Sequence, residues 1–179
     1  MPKIRRYDET AEVYHRRYQH IQRVKYQAIT PFLVEGPLID VGIGTGIGLP
    51  VLREFTPIIG VDGSHQMLQF AKQQITENNQ WQTRICLVCA AVDMLPFRRQ
   101  VFPTVLSITV LQNLDDINQG YQELLRVSRL GGVLAITVLG KVISLTQLES
   151  IMNKTGIPIA TFEALANEDV GMILKRQPI

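Results

Sequence analysis

Leu38-Ile39-Asp40-Val41-Gly42-Ile43-Gly44-Thr45-Gly46-Ile47-Gly48 decides how this chain reads. Leu38 to Val41 is a short apolar run with one acid inside it, the pattern of a buried strand. It breaks into alternating glycines, and Leu49 to Phe55 then reads as a helix. Strand, glycine loop and helix start together make a site for a nucleotide-like ligand. The glycines let the backbone approach the ligand, and the helix end offers free N–H groups and partial positive charge. A glycine-rich turn without a ligand is the plainer alternative, but turns seldom place this many glycines between a strand and a helix.

A dinucleotide fingerprint requires G-x-G-x-x-G. Counted from Gly42 the third glycine falls on Ile47, and counted from Gly44 it falls on Leu49. The spacing is instead Gly42, Gly44, Gly46, with Asp40 two residues upstream. This apolar-apolar-Asp-apolar-G-x-G-x-G pattern resembles the first motif of the class I S-adenosylmethionine-dependent methyltransferases. The resemblance implies that Asp40 helps hold the methionine end of the cofactor. It also implies that Gly42, Ile43, Gly44 and Gly46 pass beside its sulfonium side.

The downstream chain repeats the theme. Pro57 to Asp62 is a second strand ending in an acid twenty residues after Gly42, placed to accept hydrogen bonds from ribose hydroxyls. Ser64 is a good N-cap for a helix that turns Met67, Leu68, Ala71 and Ile75 inward. Val61-Asp62-Gly63-Ser64-x-x-Met67-Leu68 resembles the family's second motif, which implies cofactor contacts for Asp62, Gly63 and Met67. A third strand runs from about Arg84 to Ala91. Val92-Asp93-Met94-Leu95-Pro96-Phe97 then resembles the adenine-binding loop, with Ala91 standing where the family places an acid. The resemblance then implies that either Asp93 takes over the contact to the adenine amino group or the backbone of Val92 and Asp93 carries adenine recognition, with the balance toward the backbone helped by Asp93.

Phe102 to Leu111 reads as the fourth strand, with Pro103 in place of the family's Asp. Thr109 to Asn113 should lie over the site, since ligands of open α/β sheets bind at the carboxyl ends of strands. Thr109 is therefore a candidate cofactor contact, and Gln112 and Asn113 are candidate substrate contacts or loop residues capping the next helix. That helix starts near Asp115 or Asp116 and carries Ile117, Tyr121, Leu124 and Leu125. It ends in Arg126 to Gly132, which resembles the family's R-V-L-K-P-G-G turn and reads as structural. A fifth strand spans Val133 to Val138, a helix Leu145 to Lys154, and two strands, Ile159 to Leu165 and Val170 to Arg176, form an antiparallel hairpin.

Upstream, residues 7–29 read as a helix, with Tyr7, Ala11, Tyr14, Tyr18, Ile21, Lys25 and Ala28 recurring at three- and four-residue steps. Three tyrosines on one stripe suit core packing or an amphipathic lid. Tyr-Asp-x-x-Ala-x-x-Tyr at 7–14 resembles the lid segment of many small methyltransferases. This implies Tyr14 near the methionine end, Arg17 as a partner for its carboxylate, and Tyr7 and Tyr18 toward the substrate.

Composition sets outer bounds. The chain has 179 residues, 46% of them apolar, enough for one domain with a full core. No apolar run approaches a membrane span, and no apolar segment follows the charged N-terminus, so a cytoplasmic protein is expected. Cys86 and Cys89 form one C-x-x-C on a strand, where positions three apart point to opposite faces. No second pair completes a zinc site, so both read as small core residues and no metal is expected. Net charge is +2, but Lys3, Arg5, Arg6, Arg16, Arg17, Arg23 and Lys25 cluster near the N-terminus. That segment could face nucleic acid or be a solvated helix face.

The expected fold is a three-layer α/β/α sandwich on a seven-stranded, mostly parallel sheet with an antiparallel last strand. It forms one domain over 1–179, with a lid helix in 1–30 and a Rossmann-like core in 38–179. The expected chemistry is methyl transfer from S-adenosylmethionine, in which the protein aligns nucleophile, methyl and sulfur. His15, His20 and His65 offer no assured base. No N/D-P-P-Y/F motif follows the fourth strand, which argues against planar amino groups as acceptors, and no Pro-Cys pair serves attack on pyrimidine carbon. Short connections suggest an open site for RNA or protein. The apolar edge run Ile85 to Ala91 suggests a small activator protein added as a strand. The alternatives are a quinone-type small-molecule methyltransferase, suggested by Gln112-Asn113-Leu114 and the Arg126 to Gly132 turn, and a non-catalytic cofactor-binding scaffold.

Overall fold

In the computed structural model, residues 11–78, 80–152 and 154–178 are described. The quoted stretch supplies the central strand β1, Leu38–Val41, buried along its whole length. It pairs in parallel with β2 (Ile58–Asp62) on one side and β4 (Phe102–Ile108) on the other. Outward from β2 lies β3 (Ile85–Cys89), at one edge of the sheet. Outward from β4 come β5 (Ser128–Leu139), then the antiparallel β7 (Asp169–Arg176) and β6 (Gly156–Leu165). The order β3-β2-β1-β4-β5-β7-β6 makes a seven-stranded sheet whose chain direction of growth reverses between β1 and β4. That reversal opens a crevice at the strands' carboxyl ends, where ligands of such sheets bind.

Alternation along the strands divides the core in two. Ile39, Val41, Val105 and Leu134 face one way and pack with Leu124 and Leu148. Those two belong to helices α3 (Ile117–Val127) and α4 (Leu145–Met152). Leu38, Ile58, Leu106 and Ala135 face the other way and pack with Tyr26, Ile29, Leu68 and Ile75. These come from α1 (Ala11–Ile29) and α2 (His65–Glu77). Helices therefore cover both faces of the sheet, giving the three layers. Each fully buried Leu or Ile here contributes roughly 1.5–3 kcal/mol.

The expected elements and the observed ones differ at informative places. Leu49 to Phe55 does not form a helix. It is a run of turns closed by Leu49 N–H to Gly46 O, Val51 N–H and Leu52 N–H to Gly48 O, and Phe55 N–H to Leu52 O. Pro50 supplies no N–H to these turns. The fourth strand stops at Ile108, because Thr109 turns to φ +62° and a 3-10 turn, Leu111–Asn113, follows. The fifth strand begins earlier than expected, at Ser128, and α4 ends at Met152. Pro103 sits where the β4–β5 register shifts, so its missing donor falls at an irregularity.

Two burial expectations fail. Cys86 and Cys89 are both exposed, not core. They do point to opposite faces, but β3 is an edge strand and neither face is fully covered. On α1 the buried residues are Ala11, Gln22, Lys25, Tyr26 and Ile29, a seam rotated from the tyrosine stripe. Lys25, counted with the basic cluster, is fully buried. No helix among the described residues is long and apolar enough to cross a membrane.

Candidate functional site

A cavity of about 710 Å³ lies at the carboxyl ends of β1, β2 and β4. Its wall is built first by the glycine loop. Gly42 has φ +88°, and a Cβ there would come within 2.2 Å of Val110 Cγ2. Gly44 has φ +57°, and a Cβ there would meet nothing nearer than Gly42 O at 4.0 Å. The backbone thus packs against Val110 at one glycine and borders open space at the next.

Asp62 ties this loop to the next element. Its Oδ2 accepts the Gly44 N–H at 2.9 Å and its Oδ1 accepts the Ser64 N–H at 2.9 Å. Ser64 caps α2 by accepting the Met67 N–H, which sets Met67 against the cavity wall. On the far side Val92 and Asp93 line the cavity. Their loop is clamped from α3. Glu123 Oε2 accepts the Leu95 N–H at 2.9 Å, and Arg126 donates to Leu95 O at 2.8 Å and Phe97 O at 2.6 Å. Arg126 also donates to both Glu123 oxygens, and these bonds hold the Glu123 carboxyl below its ordinary range.

The cavity brings together Tyr14, Gly42, Gly44, Asp62, Gly63, Met67, Val92, Asp93, Thr109 and Asn113 among the residues singled out from sequence. Ile43, Gly46, Tyr18, Gln112 and Asp40 are not on its wall. Ile43 is core, Gly46 packs beside Ala71, and Tyr18 meets Tyr14 in a tilted ring contact, centroids 4.9 Å apart. Gln112 turns back to donate to Thr109 O at 2.7 Å. Arg17 lies over the Tyr18 ring. Tyr7 lies outside the described residues.

Asp40 is sealed beneath the loop. Its Oδ2 accepts the Tyr26 hydroxyl at 2.7 Å, and its Oδ1 has no partner. Burial pushes the Asp40 carboxyl up to about 7, the nearby Asp62 charge reinforcing this and the Tyr26 hydrogen bond opposing it. Burial and then Asp40 drive the Tyr26 phenol well above its ordinary range. Tyr26 was not legible as a site residue, although the step Gln22-Tyr26-Ile29 could have revealed the buried seam. Asp115, Asp116 and Gln119 also line the cavity, beyond the capping role read for the two acids. Asp116 does cap α3, accepting from Asn118 and Gln119 N–H.

This wall fits a nucleoside-type cofactor. Asp62 offers acceptors for a diol, the Val92–Asp93 backbone borders the same space, and Gly44 leaves room for close approach. It fits a dinucleotide poorly. Among the described residues Asp62, Asp93, Asp115 and Asp116 line it and no Lys or Arg does, so a pyrophosphate would meet like charge there. No helix begins at the glycine loop to receive one. Among the described residues no His or Cys lines the cavity either. His15 lies elsewhere, its Nδ1 2.9 Å from Thr45 Oγ1, and burial lowers its pKa.

Residues 39–136 match the methyltransferase domain family. Over 101 residues the chain is 32% identical to the ubiquinone/menaquinone biosynthesis C-methyltransferase of Geobacter sulfurreducens, covering 54% of this chain and 39% of that protein. The chain spans about half or less of the length of the first curated relatives it matches. A Methanococcus maripaludis structure assigned as an S-adenosyl-L-methionine-dependent methyltransferase superposes with TM-score 0.80 at 17% identity, covering 97% of this chain and 93% of that one. A chain from the complex of the Haloferax volcanii Trm112 methyltransferase activator with a protein assigned as a methyltransferase superposes with TM-score 0.77. Its identity is 16%, over 96% of this chain and 98% of that one.

Proposed function

Since this chain belongs to the methyltransferase domain family, we propose that it is an S-adenosylmethionine-dependent methyltransferase acting on a macromolecular acceptor, RNA or protein. The observation that carries the donor is the wall itself. Asp62 is fixed by Gly44 and Ser64 N–H at the end of β2, in a cavity that, among the described residues, is lined by acids and by no Lys or Arg. That charge pattern suits a cationic sulfonium nucleoside.

In this reading Asp62 holds the ribose hydroxyls, and Val92 and Asp93 hold the adenine edge. Gly42 and Gly44 line the methionine side, with Tyr14 above. When bound there, S-adenosylmethionine supplies a methyl group already activated by its sulfonium. The chain's own work is alignment and exclusion of water, with Thr109 and Asn113 bordering the acceptor's approach. With no His, Lys or Cys on the wall among the described residues, the residues present suit a nucleophile that needs no strong base.

The open approach supports the macromolecular acceptor. Only residues 140–144 join β5 to α4, so that connection carries no substrate cover. Asp93, Asp115 and Asp116 would repel phosphates, which favours a protein segment over RNA at the mouth. We also propose a small activator protein on the β3 edge. Cys86 and Cys89 are exposed there, and the Haloferax structure of like fold comes from an activator complex. The second reading is a quinone-like small molecule, favoured by the Geobacter relative.

The test adds the protein and methyl-labelled S-adenosylmethionine to an extract of its source organism, followed by RNase or protease. Label in large material destroyed by one of those enzymes is expected. Label found only in solvent-extractable small molecules would put the second reading first.

A further inference from the structure

A buried charge cluster fastens α1 to the sheet, and the proposed chemistry leaves it unused. Lys25 of α1 has no exposed side-chain surface, and neither has Asp169 at the start of β7. Lys25 Nζ donates to Asp169 Oδ1 at 2.9 Å and to Thr109 Oγ1 at 3.0 Å, and lies 3.6 Å from Glu168 Oε2. Asp169 Oδ2 accepts the hydroxyls of Thr109 and Thr137, each at 2.6 Å. One carboxylate thereby joins α1, the end of β4, β5 and the hairpin turn.

The point of convergence is strained. Thr109 holds φ +62°, a conformation β-branched residues avoid, and it lines the cavity. Every polar group it has is spoken for. Its N–H donates to Thr137 O at 2.9 Å, and its carbonyl accepts from Gln112 at 2.7 Å. Its hydroxyl donates to Asp169 and accepts from Lys25. Such strain persists only where the surroundings over-determine it, and sites that position ligands are where it collects. A buried ion pair is also a weak source of stability compared with apolar packing, and its best-attested use is to fix register.

We propose that Lys25 is a positioning residue for the methyl-transfer pocket. Through Asp169 and Thr109 it locks the helix that carries Tyr14 to the strained turn at the end of β4, so lid and wall move as one element. The proposal rests on the cavity being the donor site, but the lock itself is a property of the ligand-free protein.

The test is amide hydrogen exchange, with and without S-adenosylhomocysteine, on wild type, Lys25→Met, the double variant Lys25→Met/Asp169→Leu, Thr109→Ser and Thr109→Gly. Lys25→Met strands a buried carboxylate and should lower the unfolding temperature, and the double variant should recover most of that loss. In both, segments 11–29 and 109–113 should exchange at least tenfold faster without ligand, while β1 and α2 are unchanged. Thr109→Ser keeps the hydroxyl and should keep the coupling. Thr109→Gly takes the positive φ freely but should release α1 as Lys25→Met does. In wild type the ligand should slow exchange in 11–29, and in the uncoupled variants it should protect only the glycine loop and 62–67. A double variant of recovered stability with wild-type exchange in α1, or Thr109→Gly with α1 unchanged, overturns the lock. Failure of wild type to bind the ligand would count against the donor-site reading, while the ligand-free comparison still decides the lock.

Discussion

Tyr26 donates its hydroxyl to Oδ2 of Asp40 at 2.7 Å, and Asp40 has no contact with solvent. This places the family's first-motif acid under the loop and not in the cavity, with a carboxyl titrating at about 7. The native state therefore holds a proton that the unfolded chain, with an ordinary carboxylate near 3.9, releases. Its contribution is present in full below about pH 4, is lost as pH rises to about 7, and is flat above. The size is at most about 4 kcal/mol. Asp40→Asn cannot titrate, so its unfolding free energy should fall less than wild type's between pH 4 and 8. Parallel stability curves in urea titrations across that range would contradict the assignment.

The two cavity glycines should fail differently. Gly42→Ala places a methyl 2.2 Å from Val110 and demands φ +88°, so stability should drop by roughly 2–4 kcal/mol. Gly44→Ala has open space and only the strain of φ +57°, about 1 kcal/mol, but it narrows the ligand's approach. Thermal unfolding should separate the pair, while cofactor binding should suffer in both.

Arg126 is the clamp on the adenine-side loop. Because the Arg126–Glu123 pair is partly exposed, its charge adds little by itself. The two carbonyls of Leu95 and Phe97 are the larger loss. Arg126→Ala should cost about 1–3 kcal/mol in urea unfolding and speed exchange over residues 92–97. Unchanged exchange there would remove the clamp from the account.

Cys86 and Cys89 are both exposed on β3, so Ellman's reagent should titrate two thiols in the native protein. Reaction only after unfolding would mean that this edge is covered in solution.

The seven strands, their hairpin ending and the Ser64 cap were legible because each rests on local chemistry: apolar runs, turn residues, a hydroxyl before a helix. The cavity residues Asp62 and Met67 were legible for a related reason, since the end of β2 fixes the first and the Ser64 cap sets the second. The failures lie elsewhere. Leu49 to Phe55 forms turns where the apolar pattern favoured a helix. The exposure of Cys86 and Cys89 follows from the edge position already expected of their strand, where neither face is fully covered, so reading them as core did not use it. Lys25 looked like surface charge because its partners, Thr109 and Asp169, lie 84 and 144 residues away.

The most direct test of the central claim is calorimetric titration of S-adenosylhomocysteine into wild type and Asp62→Ala. The account predicts a single site in wild type, weakened about a hundredfold or more in the variant, since the ribose acceptors and the Gly44 tie are lost together. No binding to wild type, or equal binding to both, would contradict it.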